Sequence, residues 1–130
     1  KYYKTGDQGY INKKEILFFT GREKNKIIVS GINIYAEKIE ETIKDSKLID
    51  ECVVIGVKDK NFGQLPIAIL LLKKSDHSSK KKIEKYIDTS FSTHEKPRKI
   101  IYVDNIIKNK LDKVDRKFYN NNYSNKILLT

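Results

Sequence analysis

An α+β fold, with a small mixed sheet flanked by helices and a β-hairpin ahead of it, is what this sequence predicts. Two observations carry that expectation. Short apolar runs of strand length recur along the chain, at Ile27 to Val29, Ile32 to Tyr35, Cys52 to Val57, Ile67 to Leu72 and Ile100 to Val103, each bounded by turn or charged residues. Helical spacing appears between them, at Ala36, Ile39 and Ile43 and again at Ile83, Tyr86 and Ile87. With 130 residues the chain is long enough for one domain with a modest core.

The elements follow in order. Tyr10-Ile11 and Ile16 to Phe19 are β-prone runs around the polar connection Asn12-Lys13-Lys14-Glu15, which has hairpin length. Gly21 to Glu40 reads as strand, tight turn at Ser30-Gly31, strand and helix start. The helix has Glu37, Glu40 and Glu41 in its N-terminal half, where the macrodipole favours acids, and it is expected to end near Lys44 to Ser46. Cys52 to Val57 is a strand closed by the turn at Lys58-Asp59. Ile67 to Leu72 is continuously apolar, as a central strand covered on both faces must be. Ser75 to Ser79 is a polar loop, with Ser78 or Ser79 as cap for a helix through Lys82 to Ile87. Ile100 to Val103 follows as a last strand. Arg116-Lys117-Phe118 begins a terminal helix, and Asn120 to Thr130 is expected to be an irregular tail.

Composition narrows the function classes. The net charge is +10, which raises nucleic-acid or membrane-surface binding. Yet of 27 basic residues only Arg22, Arg98 and Arg116 are arginine, the residue that bidentate phosphate and base recognition prefers, and the lysines are scattered rather than striped. A Lys-, Asn- and Ile-rich composition bias explains the charge without a polyanionic partner. Lys80 to Lys82 read as a solvated face. The single Cys52, beside an apolar run, reads as a buried structural thiol and excludes a disulfide within the chain. His77 and His94 have no second ligand at metal spacing, so no metal site is expected, and no nucleophile elbow marks a hydrolase. The apolar runs are too short to cross a bilayer, and a cytoplasmic setting fits. The chain has no Met and opens on what reads as the middle of a motif, so it is expected to be a piece of a longer protein.

Three motifs stand in a telling order: Tyr3-Lys4-Thr5-Gly6-Asp7, then Gly21-Arg22 through Asn33-Ile34-Tyr35, then Lys113-Val114-Asp115-Arg116. Together they resemble the adenylate-forming ligases, the superfamily of acyl-CoA synthetases, luciferases and peptide-synthetase adenylation domains. The resemblance covers about residues 2 to 119, including Val-Ile-Gly-Val-Lys-Asp at 54 to 59 and Gly-Gln-Leu-Pro at 63 to 66. It implies that residues 1–20 end a large adenylating domain, that 21–119 form a small mobile C-terminal domain, and that 120–130 are a tail.

The resemblance also implies site roles. Asp7 and Arg22 would hold the adenosine ribose, a carboxylate offering two acceptor oxygens to a vicinal diol. Lys24 would be the hinge between the domains. Ser30-Gly31 would line the pantetheine tunnel of CoA, where a Cβ would obstruct. Lys113 would be the catalytic lysine, a compact cation that spreads charge off the developing adenylate. Arg98 or Lys99 would be candidates for a CoA phosphate, with plain surface cations as the alternative. The implied substrates are Mg-ATP (bringing Mg2+), CoA and a fatty or aryl carboxylic acid, with no tightly bound cofactor and no nucleic-acid partner. The chain alone would lack the acid pocket and the phosphate loop and is expected to be inactive without its large domain. A peptide-synthetase-type domain loading a carrier-protein thiol is the nearest alternative, and a free-standing basic binding module is the alternative from another class.

The sequence departs from the pattern at five places. Ser30 stands where the family has Gly, Ala36 where it has Pro, Lys38 where its first Glu falls, and Asp112 where Gly precedes the catalytic lysine. The Pro upstream of that lysine is missing as well. Asp112 is expected either to pair with the Lys113 ammonium or to change the backbone of the loop.

Overall fold

The computed structural model describes residues 7–11 and 17–123, with the hairpin up to Gly21 in backbone only. Thr5-Gly6, the connection at 12–16 and the tail at 124–130 lie outside the described residues. The hairpin strands are β1 (Asp7–Ile11) and β2 (Leu17–Arg22), antiparallel, with Asp7 opposite Arg22. A single 3-10 turn, Glu23–Asn25, joins β2 to a five-stranded sheet.

That sheet contains β3 (Lys26–Val29), β4 (Ile32–Tyr35), β5 (Ile49–Asp59), β6 (Gly63–Leu72) and β7 (Lys99–Tyr102). Strands β5 and β6 form its spine, a long hairpin from Ile49 opposite Leu72, through a register shift before Glu51, to Asp59 opposite Gly63. The other edge of β6 is shared. Antiparallel β3 meets it at Gly63, and parallel β7 runs beside Ile67 to Leu70, so the sheet is mixed as expected. Pro66 sits where one neighbour gives way to the other. Its carbonyl accepts from the Arg98 amide at 2.9 Å, and its missing N–H falls on that same edge, where no ladder partner is due.

Side-chain alternation on the spine sorts the core into two layers. Cys52, Val54, Ala68, Leu70 and Leu72 face α1 (Ala36–Lys44) and α2 (His77–Ser90), packing with Ile39, Ile43, Ile83 and Ile87. Val53, Ile55, Val57, Ile67 and Ile69 face the other way, against Ile106 and Tyr119 of α3 (Arg116–Tyr123). A sheet covered on both faces explains the continuous apolar run in β6. Cys52 is buried, and burial pushes its thiol pKa well up, as an inert structural thiol requires.

Two helices differ from expectation. Helix α2 is longer than Lys82 to Ile87 and takes in His77. Its cap is Asp76, whose Oδ1 accepts from the Ser79 amide at 2.7 Å, rather than Ser78 or Ser79. The lysines that follow are good helix formers, so nothing stops the helix short. Lys81 and Lys82 are exposed, whereas Lys80 lies over the Tyr102 ring, 5.0 Å from its centroid. Helix α3 continues through Asn120-Asn121-Asn122 to Tyr123, inside what was expected to be tail. Tyr123 stacks on Tyr119 with centroids 5.8 Å apart and packs at the margin of the second core layer, and that burial carries three poor helix formers.

Candidate functional site

Lys113 sits in a loop with its own internal frame. Asn109 Oδ1 accepts from the amides of Leu111 (2.9 Å) and Lys113 (3.1 Å), and the Asn109 amide donates to the Lys113 carbonyl at 2.7 Å. Lys108 bridges to Val114, the Asp115 amide donates to the Ile107 carbonyl at 2.9 Å, and Tyr119 Oη accepts from the Ile107 amide at 2.8 Å. Asp115 Oδ1 then accepts from the Phe118 amide at 3.1 Å and caps α3. The lysine is thus carried at the tip of a closed turn, not on a free strand.

Asp112 answers the question its presence raised. Its φ is 59°, the left-handed conformation that a Gly would take there and that Asp adopts more readily than most residues. That angle carries a modest backbone cost. The Asp112 carboxylate lies 4.0 Å from Lys108 Nζ, and among the described residues Lys113 enters no ion pair.

Arg116, three residues on, fastens this loop to the sheet. Its Nη2 donates to Glu40 Oε1 of α1, and its Nη1 donates to the Val54 carbonyl at 3.3 Å. Glu40 Oε2 in turn accepts from the Val54 amide at 2.8 Å. Val54 lies on the outer edge of β5, where the ladder ends, so Glu40 and Arg116 together satisfy the two backbone groups another strand would have taken. Glu40 is 8% exposed. Burial raises its carboxyl pKa above the ordinary 4.5, outweighing the Arg116 charge that pulls the other way. The sequence matches Glu40 and Arg116 to motif positions and does not pair them. Complementary charges seventy-six residues apart carry no local pattern to pair them.

Arg22, Lys24, Asn25, Asn109, Lys113 and Lys117 line one cleft of ≈ 500 Å³, with Val114, Asp115 and Arg116 completing it. The structure therefore brings Lys113 to the same cleft as Arg22 and Lys24. Asp7 is placed opposite Arg22 by backbone register. Lys24 is exposed within the 3-10 turn, while Glu23 Oε1 pairs with Lys26 Nζ at 2.7 Å. The charged surroundings are chemically suited to an anionic ligand such as a phosphate chain.

Ser30 and Gly31 form a separate feature, the two-residue turn of the β3–β4 hairpin, outside that cleft. Their φ angles are 50° and 82°, both positive as mirror-type hairpin turns require. A Cβ built at Gly31 would meet nothing within 4 Å, so within these residues it is the backbone angle, not lack of room, that reserves the position for Gly. The Ser30 amide donates to the Phe62 carbonyl at 2.7 Å, and Arg98 lies over the Phe62 ring, 5.1 Å from its centroid. Among the described residues there is no group of three or more His, Cys, Asp or Glu side chains that could hold a metal ion. No described helix is long and apolar enough to cross a membrane.

Known proteins are similar to this chain in sequence and fold. Residues 38–113 match the model of the AMP-binding enzyme C-terminal domain. The chain is 39% identical over 122 residues to a putative long chain fatty acid-CoA ligase, VraA, of Staphylococcus epidermidis, covering 94% of this chain and 26% of that protein. It is 31% identical over 115 residues to the 2-succinylbenzoate--CoA ligase of Lactococcus lactis, covering 88% of this chain and 25% of that one. Among solved structures, ATP-bound MatB from Rhodopseudomonas palustris superposes with a TM-score of 0.80 at 27% identity, over 93% of this chain and 24% of that one. The fatty acyl CoA synthetase of Mycobacterium tuberculosis does so with a TM-score of 0.74 at 29% identity, over 94% and 24%. The chain thus spans about a quarter of the length of these relatives, 26% and 25% of the two ligases. With a model matching more than half its residues, the chain belongs to the family of AMP-binding enzyme C-terminal domains.

Proposed function

We propose that this chain is the C-terminal part of an ATP-dependent, AMP-forming acyl-CoA ligase acting on a fatty or aryl carboxylic acid in the cytoplasm. The observation that carries the reading is the shared cleft of Arg22, Lys24 and Lys113. Residues 1–20 belong to a large domain that supplies the acid pocket and the phosphate loop, and residues 21–119 form the mobile small domain.

In the first half-reaction a substrate carboxylate oxygen attacks the α-phosphorus of Mg-ATP. A new P–O bond forms, the bond to the bridging oxygen breaks, and Mg-pyrophosphate leaves. Asp7 and Arg22 hold the ribose. The Lys113 ammonium donates to the oxygens on which negative charge concentrates in the transition state, an effect that requires a placed cation and no proton transfer. In the second half-reaction the CoA thiolate attacks the acyl carbonyl and AMP leaves with the bonding pair. Rotation at Lys24 removes Lys113 between the two steps and brings in the Ser30-Gly31 turn, whose exposed edge suits an extended pantetheine chain. Mg2+ enters with ATP.

The test is Lys113→Ala in the full-length protein. Loss of one charge-stabilising donor should lower acid-dependent ATP–pyrophosphate exchange by on the order of 100- to 1000-fold. Single-turnover transfer to CoA from supplied acyl-adenylate should change far less. Equal losses in both half-reactions would make Lys113 a structural residue.

A further inference from the structure

The 3-10 turn that joins the hairpin to the main sheet is clasped from the side by one carboxylate. Glu37, in the first turn of α1, accepts through Oε2 from the Arg22 amide at 3.0 Å and from Asn25 Nδ2 at 2.8 Å. The two donors stand on either side of Lys24 and converge on a single oxygen. The other oxygen, Oε1, is buried and has no hydrogen-bond partner among the described residues. A buried oxygen left unpartnered is unfavourable, so the bonds to Oε2 are what hold this side chain against the turn. Nothing in the motifs accounts for Glu37, since the family's first Glu falls on Lys38.

The placement has a mechanical consequence. Asn25 and α1 lie on the downstream side of Lys24, and Arg22 lies on the upstream side. The Asn25–Glu37 bond therefore travels with the small domain, whereas the Arg22–Glu37 bond crosses the pivot. A large rotation at Lys24 carries α1 away from the Arg22 amide and must break it. With the bond made, Arg22 and Lys113 line one cleft.

We infer that Glu37 is a positioning residue whose clasp on the Arg22–Asn25 turn holds Lys113 opposite Arg22 for adenylate formation and must be released before the acyl group is transferred. The inference rests on the two-step reading proposed above. Glu37 itself touches no substrate. It weights the two placements of the small domain, because a bond present in one and broken in the other shifts their populations by its full strength.

The experiment uses the full-length ligase and measures both half-reactions, pyrophosphate exchange and single-turnover transfer to CoA from supplied acyl-adenylate. Glu37→Ala is expected to lower the ratio of exchange to transfer by about tenfold, as loss of a charge-assisted bond in one state implies. Glu37→Gln keeps one acceptor oxygen, which is all that both donors use, and should restore a ratio close to the unsubstituted enzyme's. Asn25→Ala leaves α1 intact but removes the bond that steadies Glu37 Oε2 beside the Arg22 amide, so it should shift the ratio in the same direction by less, which covers the case of a Glu37→Ala protein that fails to fold. An unchanged ratio in folded Glu37→Ala, or in Asn25→Ala where the former does not fold, overturns the clasp, as does a Glu37→Gln shift equal to that of Ala. An unsubstituted enzyme without acid-dependent exchange on a panel of fatty and aryl acids overturns the two-step reading itself, and the clasp with it.

Discussion

Replacing Arg116 by Met should unlock the edge of β5 and expose how much of the fold depends on one buried pair. In the native chain the guanidinium donates to Glu40 Oε1 and to the Val54 carbonyl. Without it, among the described residues Glu40 retains only the Val54 amide as partner, and the Val54 carbonyl loses the Arg116 donor. Removing one member of a buried ion pair costs about 3–5 kcal/mol because the partner charge stays buried. The Arg116 side chain is 24% exposed, so water can reach part of the vacated space and the lower end, about 3 kcal/mol, is expected at pH 7. Urea denaturation of the 130-residue chain should then show a midpoint lower by roughly 1–3 M, for slopes of about 1–3 kcal/mol per molar.

The pH dependence is the sharper check. Burial already raises the Glu40 pKa above 4.5 in the native protein, so its contribution is fully present below 4.5 and is lost as pH rises through the folded value. In the variant the opposing guanidinium is gone, the folded pKa rises further, and the same loss extends to higher pH. The stability gap between the two proteins should therefore narrow as pH falls through these values, by about 1.4 kcal/mol for each unit separating the two folded pKa values. Arg116→Lys keeps the charge but not the rigid fork, and should fall between them. A gap that stays constant from pH 8 to pH 5, or an Arg116→Met protein as stable as the native one, would refute the reasoning.

Two shorter expectations complete the set. Lys24→Pro fixes φ near −65° within the Glu23–Asn25 turn. If Lys24 is the pivot, adenylation in the full-length enzyme should stay within roughly tenfold while thioester formation falls much further, and transfer untouched in a folded variant would place the pivot elsewhere. Gly31→Ala meets no atom within 4 Å but must hold φ near 82°, so equilibrium denaturation should show a loss of about 1 kcal/mol; a loss several times larger would reveal a contact the geometry does not contain.

The strands and the first helix were legible in the sequence because each rests on local information. Alternation and turn chemistry placed β3 and β4 around Ser30-Gly31, and the positive φ at both residues is the property for which such turns select. The unbroken apolar run in β6 carried its own message, since only a strand covered on both faces has no polar side to show. Motif order named Arg22, Lys24 and Lys113 before any geometry was known.

Only the tertiary structure decided what joins these pieces. That Asp76 and not a serine caps α2, and that three asparagines continue α3, depended on an acceptor's reach and on the burial of tyrosines at the helix's other face. That Asp112 takes a left-handed angle depended on the closure of the loop around Asn109. The clamp of Glu40 and Arg116 on Val54, and the clasp of Glu37 on the Lys24 turn, join residues far apart in sequence. Groups at such separations find each other only once the core has folded and brought α1, β5 and the Lys113 loop together, because a hydrogen bond depends on ångström-scale placement and a sequence records only order.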